Sequence, residues 1–328
     1  MRQMATALIV AMVGLTGAVM AETHKFVQQT GVATYAVRAP VLRVKPGDIV
    51  ESPTLTMPGD YYDKEGGAWP GEVGPFYIEG ATPDDTLVVR ILKVQLNRDT
   101  AVSFVRPAGL SALATDGRLR LLNDPLPTRR FIWQLDRQRN VGTLDLPKST
   151  SKRIEIPLRP MVGRVAVAPA GEEAFGGLWP GPFGGNMDAP DIREGATLFL
   201  PIYHEGALFY FGDIHAAQGD GEVCGSGLET TAVVTLQFEL VKGKTIVWPR
   251  IEDADHLMVA GSGRPLIDAF RIAHVELVDW LVADYGFEKM EAYQVLSQVG
   301  SARVANVVDP LYTVVAKFPK ALLPKVRK

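Results

Sequence analysis

The sequence predicts a mainly β fold, with rolled or sandwich-like β-sheets and a C-terminal helical hairpin, and three observations carry that reading. Glycine (32) and proline (23) are abundant but scattered through a chain that is 47% apolar, which suits many short strands joined by turns. Short apolar stretches bounded by Gly, Pro or charge recur from Val41 to Val241. Only after Gly263 does the hydrophobic period lengthen to that of a helix.

Taken in order, the chain opens with Arg2 and the apolar run from Ala5 to Val19, and Val19-Met20-Ala21 offers modest or small residues where a signal peptidase reads. This predicts a cleaved leader over residues 1–21 and a periplasmic or secreted mature chain over 22–328. The run is shorter than the roughly 20 apolar residues of a membrane span, and no later stretch is longer, so no membrane association is expected after cleavage. Cys224 is the only cysteine, which excludes an intramolecular disulfide.

Residues 41–45 read as a strand closed by Pro46-Gly47-Asp48, and 86–95 as a mostly buried strand. Between them, 57–74 has neither period and carries Tyr61, Tyr62 and Trp69, which predicts a long surface loop at the rim of a pocket. Residues 97–151 are polar and weakly periodic, and predict loop and irregular strand rather than ordered core. Strands are expected again at 161–168, 197–203, 207–212 and 230–241. Leu266, Ile267, Phe270, Ala273, Leu277, Val278 and Leu281 then fall on one helical stripe, a second helix covers 288–298, and strands follow at 303–308 and 312–318. With no internal repeat, one domain is expected over 22–328.

The formal charge of −3 supplies no basic field for phosphate, so neither nucleic acid nor an anionic membrane is an expected partner, while pairing into a homodimer is compatible with the sequence. Chemistry concentrates between Gly212 and Glu229. Asp213 and His215 are two apart and would share a face if the preceding strand continues, where carboxylate and imidazole could hold a divalent metal. Glycines at 219, 221, 225 and 227 permit turns that return Glu222 and Glu229 to that pair. A solvated hydrogen-bonding cluster is the plainer reading of an Asp-x-His pair, but five acidic or imidazole groups between apolar strands would be costly to bury without a cation. His24, His204, His256 and His274 read as ordinary surface or core histidines.

GDIHAAQGDGEVCGSGLE resembles the hallmark stretch of the acetamidase/formamidase family. PVLRVKPGDIV, GPFYIEGATPDDTLVVRILKV, PMVGRVAVAP, GPFGGNMDAPDIREGATLFLPIYHEGALF and EAYQVLSQVGSARVANVVD resemble the family in the same order, across most of the mature chain. The resemblance implies hydrolysis of small linear amides to acid and ammonia and a divalent metal; mixed imidazole and carboxylate ligands suit Zn²⁺, and a site of carboxylates and carbonyls would suit Ca²⁺ or Mg²⁺. It places Asn186, Asp188, Asp213, His215 and Glu222 at the site, with Glu229 a further candidate ligand. Gln218 and Cys224 join Asn186 as candidate substrate-binding residues. The family pattern has a His before the GGN turn where this chain has Phe183, so a changed pocket rim is expected.

Amide hydrolysis needs a nucleophile, a stabiliser for the oxyanion and an acid for the leaving nitrogen. A metal between His215, Asp213 and a further carboxylate would serve the first two, with Glu222 as proton carrier or as ligand. Cys224 as a nucleophile is the weaker alternative, because an acidic neighbourhood raises a thiol pKa. The rival from another class is an exported, non-catalytic β protein that binds a metal or small ligand through the same cluster.

Overall fold

The computed structural model describes residues 21–105, 112–113 and 127–324. All but the last residue of the expected leader lies outside them. The described chain is mostly strand, arranged in two large sheets, with two helices covering one of them.

The first sheet has nine strands, in the order Thr23–Lys25, Ile49–Pro53, Ala232–Val241, Thr86–Leu96, Thr197–Pro201, Arg250–Glu252, His256–Gly263, Tyr312–Pro319 and Ser301–Asn306. Its spine is the long antiparallel pair Thr86–Leu96 with Ala232–Val241, where Leu87, Val89, Val234, Leu236 and Phe238 are buried. The second sheet, of eleven strands, runs through Arg153–Pro157, Val141–Asp145, Arg129–Asp136, Thr100–Val105, Glu229–Thr230, Phe209–His215, Met161–Ala166, Gly184–Asn186 and Pro180–Gly181. Val73–Ile78 pairs with Phe209–His215 and carries Leu42–Val44 on its other side. One apolar cluster joins both sheets, taking Val89, Leu198 and Leu236 from the first and Val162, Phe209 and Phe211 from the second.

Helix α1 (Leu266–Tyr285) and helix α2 (Lys289–Val299) form the expected hairpin. The Glu288 side chain caps α2 by accepting from the Met290 and Glu291 amides. Ala269, Ala273, Leu277 and Leu281 of α1 pack on Leu257, Val259, Val314 and Phe318 of the first sheet. Each large apolar side chain so buried contributes about 1.5–3 kcal/mol. The stripe is turned from the expected one: Ile267 and Phe270 face solvent, whereas Glu276 is buried because Arg250 bonds to it at 2.7 Å.

Two further expectations need correction. Among the described residues of 97–151, Thr100–Val105, Arg129–Asp136 and Val141–Asp145 are regular strands joined antiparallel, while 106–111 and 114–126 lie outside the described residues. Only Trp133 and Leu135 of the middle strand are buried, so its outward polar face hides the period in the sequence. The loop preceding Val73 is not merely superficial, since Tyr61 and Tyr62 are buried against Val102 and Phe104, with Trp69 packed alongside. No helix among the described residues is long and apolar enough to cross a membrane.

Candidate functional site

The strand Phe209–His215 lies at the middle of the second sheet and is buried along its whole length. It runs on through Asp213 to His215, beyond the expected end at 212. Antiparallel register does much of the assembly: His215 stands opposite Glu229 on one neighbour, and Arg164 opposite Asn186 on another. Gly163 is required here, because a Cβ would fall 2.6 Å from Asp188 Oδ1 and 3.0 Å from the Asp213 carbonyl oxygen. Three site acids, Asp188, Asp213 and Glu222, have positive φ, at 44°, 58° and 49°.

Arg164 is the hub of the buried charge. Its Nη1 donates to Glu72 Oε1 at 2.7 Å, its Nε lies 3.1 Å from Asp213 Oδ2 and donates to Asn186 Oδ1, and its guanidinium sits 4.4 Å from the centre of the Trp69 ring. Trp69 Nε1 donates to the other Glu72 oxygen at 3.0 Å. Burial pushes the Glu72 carboxyl up to about 7 despite the guanidinium beside it. For Asp213, burial acts upward too, but the charges of Arg164 and His215 outweigh it and hold the carboxyl below its usual range.

Asn186 spreads its amide across two acids, donating to Asp188 Oδ2 at 2.5 Å and Asp309 Oδ2 at 2.6 Å. Burial, then the facing Asp309 and Asp213 charges, hold Asp188 well above the usual carboxylate range. Asp309 is pushed up to about 8 by burial and by Glu222. Burial together with Asp188 raises Glu222 well above its ordinary value as well. Glu222 sits in the single turn Asp220–Glu222, and its carboxylate has no hydrogen bond among the described residues.

The His215 ring is oriented from behind. Its Nδ1 pairs with Gln218 Oε1 at 2.8 Å, while Gln218 Nε2 donates to the carbonyls of Asp188 (2.7 Å) and Ala305 (3.1 Å). Two carbonyl acceptors fix which way the Gln218 amide faces, so Nδ1 carries the proton and Nε2 looks into the site. Burial works against a charged ring, but Glu229 and Asp213 raise its pKa well above the usual value. Even so Nε2, 3.4 Å from Glu229 Oε1 and 3.6 Å from Asp213 Oδ1, forms a hydrogen bond with neither. Nε2 and Asp188 Oδ1 are both buried without a hydrogen-bond partner. Glu229 is steadied by Tyr61, whose hydroxyl donates to Oε2 at 2.7 Å, and by the Gly227 amide at 2.9 Å.

Among the described residues two groups of ligand atoms could hold a metal ion, Asp188 with His215 and Glu222, and Asp213 with His215 and Glu229, each within 4.8 Å of one another. The donor set fits a divalent cation, which would satisfy both orphaned atoms and offset the repulsion among the acids. Beside these groups lies a cavity of about 250 Å³ walled by Tyr61, Trp69, Arg164, Leu178, Asn186, Asp213, Glu222, Glu229, Val308 and Asp309. That falls just below the usual ~300–1,000 Å³ of drug-sized ligand pockets and suits a small polar molecule.

Asn186, Asp188, Asp213, His215, Gln218, Glu222 and Glu229 thus come together, but not all in the expected places. Gln218 is spent on orienting His215 and does not line the cavity, and both ends of the Asn186 amide are engaged by protein. Cys224 is half-buried, with Sγ 3.7 Å from the Ser226 carbonyl, and is also absent from the wall. Phe183 stacks on Phe175 at 5.0 Å and lies in the core rather than on the rim. His204 bonds to the Pro169 carbonyl at 2.6 Å, the ordinary role expected of it. Sequence reasoning missed Arg164, Glu72, Asp309 and the Tyr61 hydroxyl. An arginine inside the apolar run Val162 to Ala168 was the available signal, since such a charge is buried only with partners.

The Acetamidase/Formamidase family model matches residues 158–323. The crystal structure of an acetamidase from Yersinia enterocolitica superposes with a TM-score of 0.82 at 34% identity, covering 95% of this chain and 96% of that one. A predicted acetamidase/formamidase from Thermoanaerobacter tengcongensis gives 0.78 at 27% identity, with 92% and 97% covered. The acetamidase of Mycolicibacterium smegmatis is 28% identical over 218 residues, which are 52% of this chain and 53% of that protein, so the chain spans about half the length of this curated relative. Matched by the family model over half its length and by a whole solved relative at 34% identity, the chain belongs to the acetamidase/formamidase family.

Proposed function

We propose that the protein hydrolyses the C–N bond of small linear amides, formamide- or acetamide-like, to carboxylate and ammonia in an exported compartment. The carrying observation is the juxtaposition of a small cavity with the orphaned His215 Nε2 and Asp188 Oδ1 and with Glu222 on its wall. A divalent cation belongs to the reading, held by His215 with Asp188 and Glu222 or with Asp213 and Glu229. One imidazole with two carboxylates favours Zn²⁺ over Ca²⁺, which takes oxygen ligands. When bound, such an ion supplies Lewis acidity to the amide carbonyl and a lowered pKa to water.

The chain's own groups do the rest. Among the described residues Arg164 is the one cationic side chain on the cavity wall, and it places fixed positive charge near the developing oxyanion. Glu222, buried and with no carboxylate hydrogen bond among the described residues, accepts a proton from water and delivers it to the departing nitrogen. Gln218 keeps the proton of His215 on Nδ1, and Tyr61 keeps Glu229 in place. Trp69, Leu178 and Val308 give the acyl group an apolar wall.

The test is ammonia release from formamide, acetamide and a longer aliphatic amide, before and after chelation and after return of Zn²⁺ or Ca²⁺. Release that chelator abolishes and one ion restores is expected. Metal-loaded protein that turns over no amide sinks the assignment, and activity indifferent to chelator sinks its metal part.

A further inference from the structure

We infer that Arg303 is a positioning residue, a clamp between the two backbone segments that carry Asp188 and Glu222, and that it sets the separation of those acids. The inference rests on the functional reading of Asp188 and Glu222 above. Arg303 lies on the strand Ser301–Asn306 at the edge of the first sheet, opposite Val315. Its Nε is 2.8 Å from Asp220 Oδ1, and its Nη1 donates to Asp191 Oδ2 at 3.4 Å. Asp220 stands two positions before Glu222 in the same turn, and Asp191 three positions after Asp188 in the segment that leaves the strand Gly184–Asn186. One guanidinium therefore spans both carriers.

The surroundings favour a positioning role over a decorative one. Lys317 Nζ, on the adjacent strand, donates to Asp191 Oδ1 at 2.6 Å, and the Val307 amide donates to the Gly221 carbonyl at 3.1 Å. The same C-terminal strand pair thus grips the Asp188 segment and the Glu222 turn. Glu222 needs such a grip, because its turn is short, its φ is positive and its carboxylate has no hydrogen bond among the described residues. Like charges on Asp188 and Glu222 push the two carriers apart whenever both ionise. Meanwhile Asp220 is more than half exposed, so the ion pair adds little to overall stability and its loss should leave the fold standing.

The experiment compares wild type with R303M, which keeps the apolar stem, and R303K and D220N. In R303M we expect kcat to fall about tenfold to a hundredfold with KM little changed, and Zn²⁺ affinity in equilibrium dialysis to fall about tenfold or more, the usual cost of losing a supporting contact. Hydrogen exchange should quicken at the Gly225 amide, which donates to the Glu222 carbonyl at 2.8 Å, while the thermal midpoint stays close to wild type. R303K should recover only part, since an ammonium lacks the fork that reaches both acids. D220N should repeat the loss, and R303M with D220N should be no worse than either alone. Wild-type Zn²⁺ affinity and turn exchange in R303M, or fully additive losses in the double variant, would overturn the clamp. If the wild type releases no ammonia from any amide, the functional reading falls, while Zn²⁺ affinity and exchange still decide the role of Arg303.

Discussion

Replacing Arg164 with Met tests the buried charge at its hub. The methionine keeps most of the stem but strands Glu72 and Asp213, which are 0% and 5% exposed. Removing one partner of a buried ion pair costs about 3–5 kcal/mol, set against a total stability of about 5–15 kcal/mol for a typical domain. The loss should also depend on pH. Glu72 has a folded pKa of about 7 against an ordinary 4.5, so the native state holds an extra proton between those values. The stability linked to this raised carboxyl is fully present below 4.5 and is lost as pH rises through 7. Without the guanidinium its pKa climbs further, and each unit above 7 adds about 1.4 kcal/mol to the deficit at high pH. Urea unfolding of chelated wild type and R164M at pH 5 and pH 8 should give a larger difference at pH 8. A difference below about 1 kcal/mol, or one that does not grow with pH, would refute this account of the hub.

Glu222→Gln keeps the volume but cannot carry a proton, and should lower kcat on the order of a hundredfold with metal content retained, whereas Cys224→Ser should stay within roughly tenfold. A trapped acyl-thiol on Cys224 would reverse that ranking. Gly227→Ala puts a methyl 2.5 Å from His215 Nδ1, so metal retained after dialysis should fall about tenfold or more; unchanged content would place the ion elsewhere. Protein recovered from an exported fraction should begin at Glu22 or within a few residues, and a full-length cytoplasmic chain would contradict export.

The strands and the helical hairpin were legible because their periods are local. What blurred was any element whose outward face imitates a loop, as in Arg129–Asp136, or whose buried charge imitates a surface, as with Glu276. The site shows the same division. Asp213, His215, Glu222 and Glu229 stand within one short stretch and could be read together. Glu72, Arg164 and Asp309 arrive from strands and loops remote in sequence, joined by cross-strand register that no spacing encodes. Gln218 could be read as a site residue, but its contacts could not, because only the structure shows its amide turned between His215 and two carbonyls.

The three left-handed acids have a consequence for anyone altering this enzyme family member. Asp188, Asp213 and Glu222 each hold a backbone shape that glycine tolerates and most side chains resist, at a cost of order 1–3 kcal/mol apiece. Asp188 and Glu222 are also buried among other acids, so in the metal-free chain these two work against folding, whereas Asp213 is offset by Arg164. Selection for heat resistance alone should therefore favour glycine or asparagine at 188 and 222, and on the proposed function such clones should lose amide hydrolysis. Libraries should keep these three positions fixed and seek robustness in the far sheet and its helices, where no such conflict exists.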